Sequence, residues 1–293
     1  MLVPMSDTEL TVIIPTCDRP HLLDETLASL ATQVWLGHTW DIIVVDSGTR
    51  SSSAEVVDKW VERMPVTVRR MPTAGGTGPA ASRNLGVREA ASPLLAFIDD
   101  DDLAGEGWLK ALATSLGHQQ LVGSRFDYAR LNPSGVTDPR AVSQTELPRV
   151  GTTPTVSGGG MGCHRSLWEQ LGGMDEALRF GEDIDFSLRA SHAGIEAGFC
   201  PEAIYHVRLR QGTAAAFARG LHHGRASVAI YATHRTITGA TPDRAGVVIR
   251  SWIGYVLRIP SLRSRSARSL FAEQLGRRVG RLQASAKMRV WYP

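Results

Sequence analysis

Short β-branched runs alternate with helix-length segments through the first third of this chain, an order that few folds accommodate. Leu10 to Ile14, Ile42 to Asp46, Val66 to Met71 and Leu94 to Asp99 read as strands, and helices are predicted over Leu22 to Gln33, Ala54 to Arg63 and Pro79 to Ala90. Strands spaced this way need βαβ crossovers, which predicts an α/β fold with a parallel sheet and helices on both faces. Such sheets bind ligands at the carboxyl ends of their strands. Polar residues gather at those ends: Pro15-Thr16-Cys17-Asp18 after the first strand, Asp46-Ser47-Gly48 after the second and Asp99 to Asp102 after the fourth.

The remaining 200 or so residues are read with less periodicity to lean on. Residues 132 to 160, rich in Pro, Thr, Ser and Gly, form a long irregular stretch, the kind usually retained for function. Helices are predicted at Arg165 to Leu171 and Glu182 to Ala193, with short strands at Ala197 to Cys200 and Ala203 to His206, and from Thr213 the pattern is helical and Arg-rich. An apolar fraction of 43% against 21% charged suffices for a sizeable core and excludes disorder for most of the chain. Cys17, Cys163 and Cys200 stand too far apart for a Cys-x-x-Cys zinc site or a disulfide framework, which suits a reducing cytoplasm. Met1 to Leu10 lacks the basic and apolar pattern of a signal peptide, and no apolar stretch nears the roughly 18 to 20 residues that span a bilayer. A protein that is soluble or rests on a membrane surface is expected.

Two acidic clusters could carry chemistry. Four consecutive carboxylates, Asp99 to Asp102, repel one another unless protons or a cation intervene, and hard oxygen ligands suit Mg²⁺ or Mn²⁺. A solvated acidic turn ahead of a helix is the plainer alternative. Glu182, Asp183 and Asp185 open a predicted helix, where acids serve as caps through the macrodipole. The same field would keep Asp183 or Glu182 ionised, as a general base must be.

Together these pieces resemble the family 2 glycosyltransferases of the GT-A fold, over roughly residues 10 to 210. The resemblance rests on Thr11-Val-Ile-Ile-Pro-Thr16 with Asp18-Arg19-Pro20, Ile42-Ile-Val-Val-Asp46, Ala81-Ser-Arg83-Asn-Leu-Gly86, Phe97-Ile-Asp-Asp-Asp-Asp102 and Gly181-Glu-Asp183, in family order and spacing. It implies a Rossmann-like nucleotide-binding sheet, a nucleoside diphosphate sugar donor and inversion at the sugar. A UDP-sugar is favoured, with dTDP- and GDP-sugars as alternatives. By the same resemblance Pro15, Thr16 and Asp18 line the nucleotide pocket, Asp46 accepts from the base and Arg83 lies against the nucleotide or its diphosphate. Asp101 is then the metal ligand, Asp99 or Asp100 lies near the ribose, Asp183 is the base with Glu182 next in line, and His206 is a further metal ligand. Cys17 stands where many relatives place an aromatic, and Ser47 follows Asp46 where a second acid is common. The rival readings are a sugar-1-phosphate nucleotidyltransferase and a catalytically inactive carbohydrate-binding protein on the same fold. The former expects a Gly-rich, Arg-containing loop where this chain has Pro15 to Pro20.

Three smaller features are read more plainly. Gly158 to Gly162 lacks phosphate-loop spacing and is either a flexible loop or, by the resemblance, a stretch beside the donor sugar and acceptor. Trp168 reads as helix core and His192 as an exposed helical histidine.

Charge divides the chain unevenly. Residues 1 to 206 carry 16 Lys and Arg against 27 Asp and Glu, whereas residues 207 to 293 carry 16 against 2. A glycosyltransferase domain at 1–210 and a basic helical extension at 211–293 are therefore expected. In the extension, Val248, Trp252, Tyr255 and Ile259 recur near helical spacing among Arg250, Arg258, Arg263, Arg265 and Arg268. That pattern suits an anionic membrane surface or a lipid-linked acceptor, with peripheral attachment at the inner face of the membrane. A solvated helical face is the plain alternative, and nucleic acid ranks last because no nucleic-acid fold signature is present.

Overall fold

A computed structural model describes residues 9–49, 52–132, 145–209, 212–238, 245–257 and 264–292. Outside them lie residues 133–144 of the predicted irregular stretch, the break at Gly239 to Pro242, and Arg258, Ile259, Pro260 and Arg263. The described residues fall into two compact units, divided along the main chain between Arg208 and Leu209; Asn132 and residues 150–152 belong with the second.

The first unit is built on the predicted alternation. Strands β1 (Leu10–Thr16), β2 (Trp40–Asp46), β3 (Val68–Pro72) and β4 (Leu94–Phe97) are joined through helices α1 (Pro20–Ala31), α2 (Ser52–Val61) and α3 (Pro79–Glu89). There follow β5 (Leu103–Ala104), α4 (Trp108–Leu116), β6 (Leu121–Asp127), β7 (Arg149–Val150), β8 (Thr153–Pro154), β9 (Met161–His164), α5 (Arg165–Gln170), α6 (Glu182–His192) and β10 (Gly198–His206). The main sheet has the order β3-β2-β1-β4-β9-β6-β10-β5. This is the GT-A arrangement, a mostly parallel sheet flanked by helices.

The sheet is mostly parallel, as expected, with two departures: β9 runs antiparallel between β4 and β6, and β5 is antiparallel to β10. Periodicity alone did not separate the short Met161–His164 strand from the glycine run before it. The two short strands predicted at 197–206 are one, with a register shift between Cys200 and Ile204. Pro201 falls inside the irregularity, where its missing N–H removes a ladder bond.

Alternation along β1 and β2 divides the core between the two sheet faces. Val12, Ile14, Ile42 and Val44 pack with Leu23 and Leu27 of α1 and Leu109 and Leu112 of α4. Ile13, Ile43 and Val45 pack on the opposite face with Val87 of α3, Leu167 and Trp168 of α5 and Phe186 of α6. Trp168 stacks on Phe97 at 4.9 Å, so it is core as expected. Burial on both faces holds the central strands rigid, and their carboxyl ends become fixed mounting points.

The second unit is helical: α7 (Thr213–Thr238), α8 (Ala245–Val256) and α9 (Arg265–Met288). Helices α7 and α9 meet through glycines spaced four apart, Gly220 and Gly224 against Gly276 and Gly280. A methyl group at Gly220 would lie 2.0 Å from the Glu273 carbonyl oxygen, and one at Gly276 would lie 2.1 Å from that of Phe217. Only hydrogen fits, so the two backbones touch. Each step of four along α7 matches a step of four along α9 in the same sense, so the helices run parallel. Glu273, buried at this contact, accepts from Arg219 at 2.6 Å.

Candidate active site

Strands β1 and β2 end side by side, with Thr16 opposite Asp46. Beyond them the chain turns through Asp18 at φ 52°, whose carboxylate accepts from the Thr49 N–H at 3.0 Å. Gly48 lies between two carboxylates: a Cβ there would stand 2.7 Å from Asp18 Oδ1 and 2.9 Å from Asp46 Oδ1. Asp46 itself is buried, accepting from the Gly48 N–H at 2.9 Å and from Arg70 Nε at 2.9 Å. Arg70 was not singled out in the sequence. It neutralises Asp46 beside Thr16, Cys17 and Asp18. Pro15 pairs with Val45 inside the sheet, and Cys17 is exposed.

Strand β4 stops at Phe97, and the acidic run crosses the ends of the neighbouring strands. Asp99, Asp101 and Asp102 each bring an oxygen to within 4.8 Å of the others. Asp100 points the other way. Its carboxylate has no solvent exposure, accepts from Thr16 Oγ1 at 2.6 Å and pairs with Arg19 at 2.7 Å. Arg19 also donates to Asp101. Burial, opposed by Arg19 and Thr16, pushes the Asp100 carboxyl up to about 7. Burial and the neighbouring Asp99 and Asp101 hold Asp102 well above the usual carboxylate range, against hydrogen bonds from the Arg208 N–H and Tyr205. Tyr205 hydroxyl also accepts the Asp99 N–H at 3.0 Å. Three hard oxygen donors this close, repelling one another, fit a divalent cation. His206 lies outside this group of three: Nδ1 is 2.6 Å from Asp127 and Nε2 is 3.2 Å from Arg130.

Arg83 joins the acidic run to the second cluster. Its guanidinium is buried, donating to Asp99 at 2.7 Å and to Glu182 at 2.9 Å, while its Nε has no partner among the described residues. Burial alone would lower Arg83; Asp99 and Glu182 outweigh it and keep the cation charged. Burial and then Asp183 raise Glu182 against the pull of Arg83. Helix α6 begins at Glu182 after Gly181 in the left-handed region at φ 79°. The Asp183 carboxylate is half-buried and accepts from the Gly158 N–H at 2.8 Å through one oxygen and from the Ile184 N–H at 2.8 Å through the other. The glycine run is short of side chains because the site's own groups need the space. A Cβ at Gly158 would meet the Arg83 guanidinium at 2.8 Å, and one at Gly159 the Tyr205 hydroxyl at 2.5 Å.

The fold therefore gathers Thr16, Asp99, Asp100, Asp101, Arg83, Glu182 and Asp183 into one connected network. Asp46 and Asp18 sit beside it on the strand ends. Arg19, Asp102 and Tyr205 were missed as participants. Arg19 and Asp102 stood inside motifs already noted, whereas nothing local marks Tyr205, which arrives from the far edge of the sheet.

The profile of the family described as glycosyl transferase family 2 matches residues 11–171. A validoxylamine A glucosyltransferase of Streptomyces hygroscopicus subsp. limoneus is 34% identical over 128 residues, covering 42% of this chain and 28% of the relative. A pre-mycofactocin glycosyltransferase of Mycobacterium tuberculosis (strain ATCC 25618 / H37Rv) is 26% identical over 295 residues, covering 96% and 59%. The chain thus spans less than two thirds of either curated relative. Among solved structures, the mannosyltransferase PcManGT from Pyrobaculum calidifontis, in complex with GDP-Man and Mn²⁺, superposes with a TM-score of 0.63 at 19% identity, over 95% of this chain and 88% of that one. Residues 1–349 of S. aureus TarS, in complex with UDP-GlcNAc, superpose at 0.57 and 16% identity, over 98% and 93%.

Proposed function

The chain belongs to glycosyl transferase family 2, and from that premise we propose that it moves a sugar from a nucleoside diphosphate sugar to an acceptor hydroxyl with inversion. One observation carries the reading: three carboxylates suited to a divalent cation are linked through Arg83 to Glu182, which opens α6 beside Asp183, itself held by the Gly158 N–H. Residues 1–210 are the catalytic part and 211–293 the extension. Membership of the family speaks against the nucleotidyltransferase alternative.

Pro15, Thr16, Asp18 and Asp46 receive the nucleotide at the strand ends. Asp99, whose side chain is 36% exposed, faces the ribose, and the fully buried Asp100 instead anchors Arg19. Asp101 would hold Mn²⁺ or Mg²⁺ together with Asp99 and Asp102, with His206 as a further ligand. The bound cation would neutralise the charge that builds on the diphosphate, as a Lewis acid does. Arg83 ties Asp99 to Glu182 and so keeps the donor and acceptor sides in register, which is what makes in-line attack efficient. It reaches the diphosphate itself only by moving out of its buried position.

Asp183 takes the proton of the acceptor hydroxyl as that oxygen bonds to the anomeric carbon and the bond to the diphosphate breaks. Two backbone N–H donors stabilise its ionised form and aim it. A single displacement of this kind inverts the anomeric centre. The complexes of similarly folded proteins with UDP-GlcNAc and with GDP-Man and Mn²⁺ support a nucleotide-sugar donor. The basic extension supports an acceptor held at an anionic surface, such as a lipid-linked one, on the cytoplasmic side of a membrane. Asp183→Asn tests the base: transfer should fall by roughly 10²- to 10⁴-fold with donor affinity unchanged. Turnover within a few-fold of the parent would move the role to Glu182, and a product that retains the donor's anomeric configuration would overturn the single displacement.

A further inference from the structure

Helix α8 has two apolar faces, and among the described residues only one of them is covered. Val248, Trp252 and Tyr255 follow one another at i, i+4 and i+7, the face singled out in the sequence. In the structure that face is turned toward α9 and away from solvent. Tyr255 is buried, stacked on Phe271 at 4.1 Å and donating to the Phe271 carbonyl at 2.6 Å, and Arg278 lies over both Trp252 and Tyr255. The neighbouring face, about 100° round the helix, repeats the spacing with Ile249, Ile253 and Val256, followed by Leu257. These four are 60%, 56%, 54% and 73% exposed. Arg250, also exposed, is the single charged side chain on α8.

An aliphatic stripe left in water needs an occupant, and charge selects among the candidates. Residues 207 to 293 carry 16 Lys and Arg against Asp243 and Glu273, and Glu273 is already engaged by Arg219. A second copy of this unit would bring like charge against like charge. Nucleic acid would satisfy the arginines and leave the aliphatic stripe wet. An anionic lipid leaflet answers both features, since its headgroups attract the basic residues and its acyl boundary takes the aliphatic side chains. No helix among the described residues is long and apolar enough to cross a membrane, so α8 would lie in the plane of the interface.

We propose that α8 docks this protein on an anionic lipid surface through Ile249, Ile253, Val256 and Leu257. The proposal rests on the functional reading and deepens it by naming a surface the enzyme meets, and it is tested without turnover, so either can fail alone. The full chain and its Ile249→Ser/Ile253→Ser variant are co-sedimented with phosphatidylcholine vesicles, with and without phosphatidylglycerol. The parent should bind the anionic vesicles, bind neutral ones weakly, and release at about 1 M salt, where charges are screened beyond roughly 3 Å. The variant, altered only at exposed positions, should melt as the parent does, bind donor nucleotide as the parent does, and lose roughly ten-fold or more in vesicle partitioning. Failure of the parent to bind anionic vesicles at low salt would overturn the proposal. So would equal binding by the variant, which leaves attraction to arginine alone. A lipid-free dimer that the two substitutions split would assign the stripe to a second copy instead.

Discussion

Asp99 and Asp100 are adjacent, chemically identical and opposite in environment. The motif alone left open which of them meets the ribose, because side chains beyond a strand end obey no fixed alternation. Tertiary partners give the two different surroundings: Thr16 and Arg19 draw Asp100 inward, and Tyr205 fixes the backbone of Asp99. Their protonation makes a testable difference. Asp100, raised to about 7, and Asp102, raised well above the usual range, retain protons in the folded chain that the unfolded chain has lost by about pH 5. The stability Asp100 contributes is full below about pH 4 and is lost as the pH rises through about 7, and that of Asp102 is lost well above the usual carboxylate range. A cation held by Asp102 must displace its proton, so Mn²⁺ should raise the melting temperature more at about pH 8 than at about pH 5.5. An equal rise at both would remove Asp102 from the metal's ligand set. Arg83→Met makes a second case, stranding buried Glu182 without its counter-ion. Denaturant unfolding should show a loss of about 3–5 kcal/mol, the usual cost of breaking a buried pair.

Among the elements, the alternating strands and helices of the first hundred residues were legible because burial on both faces leaves long apolar runs between polar ends. Strand β9 was not, since four residues beside three glycines carry too little pattern, and its identity depends on pairing with β4 and β6. The glycines of α7 and α9 teach the same lesson. Gly220, Gly224, Gly276 and Gly280 stand in the sequence at i and i+4, yet a helix reads as amphipathic only through side chains, and these have none. Their meaning needs the partner backbone. Gly220→Ala should therefore destabilise by about 1–3 kcal/mol, because the new methyl meets a carbonyl 2.0 Å away. Gly254→Ala in α8, where nothing lies within 4 Å, should stabilise by about 0.5–1 kcal/mol. Thermal melts of the two variants that moved in the same direction would refute the close backbone contact.

Across the whole chain, charge and chemistry separate. The acidic carboxylates that would hold a metal and take a proton belong to residues 1 to 206, and the excess of arginine belongs to residues 207 to 293. That division was readable by counting, as was the place of the site at the strand ends. Which face of α8 stays open was not readable, since both faces share one spacing and only packing against α9 distinguishes them. The account stands on a nucleotide held together with a divalent cation at the Asp99, Asp101 and Asp102 carboxylates. Calorimetry of the full chain with UDP, dTDP and GDP, each in Mn²⁺ and in EDTA, weighs it. One nucleotide should bind in Mn²⁺, lose at least roughly ten-fold in affinity in EDTA, and lose the same in Asp101→Asn. Equal affinity in Mn²⁺ and EDTA for the nucleotide that binds best, or an Asp101→Asn variant that binds as the parent does, would contradict the account.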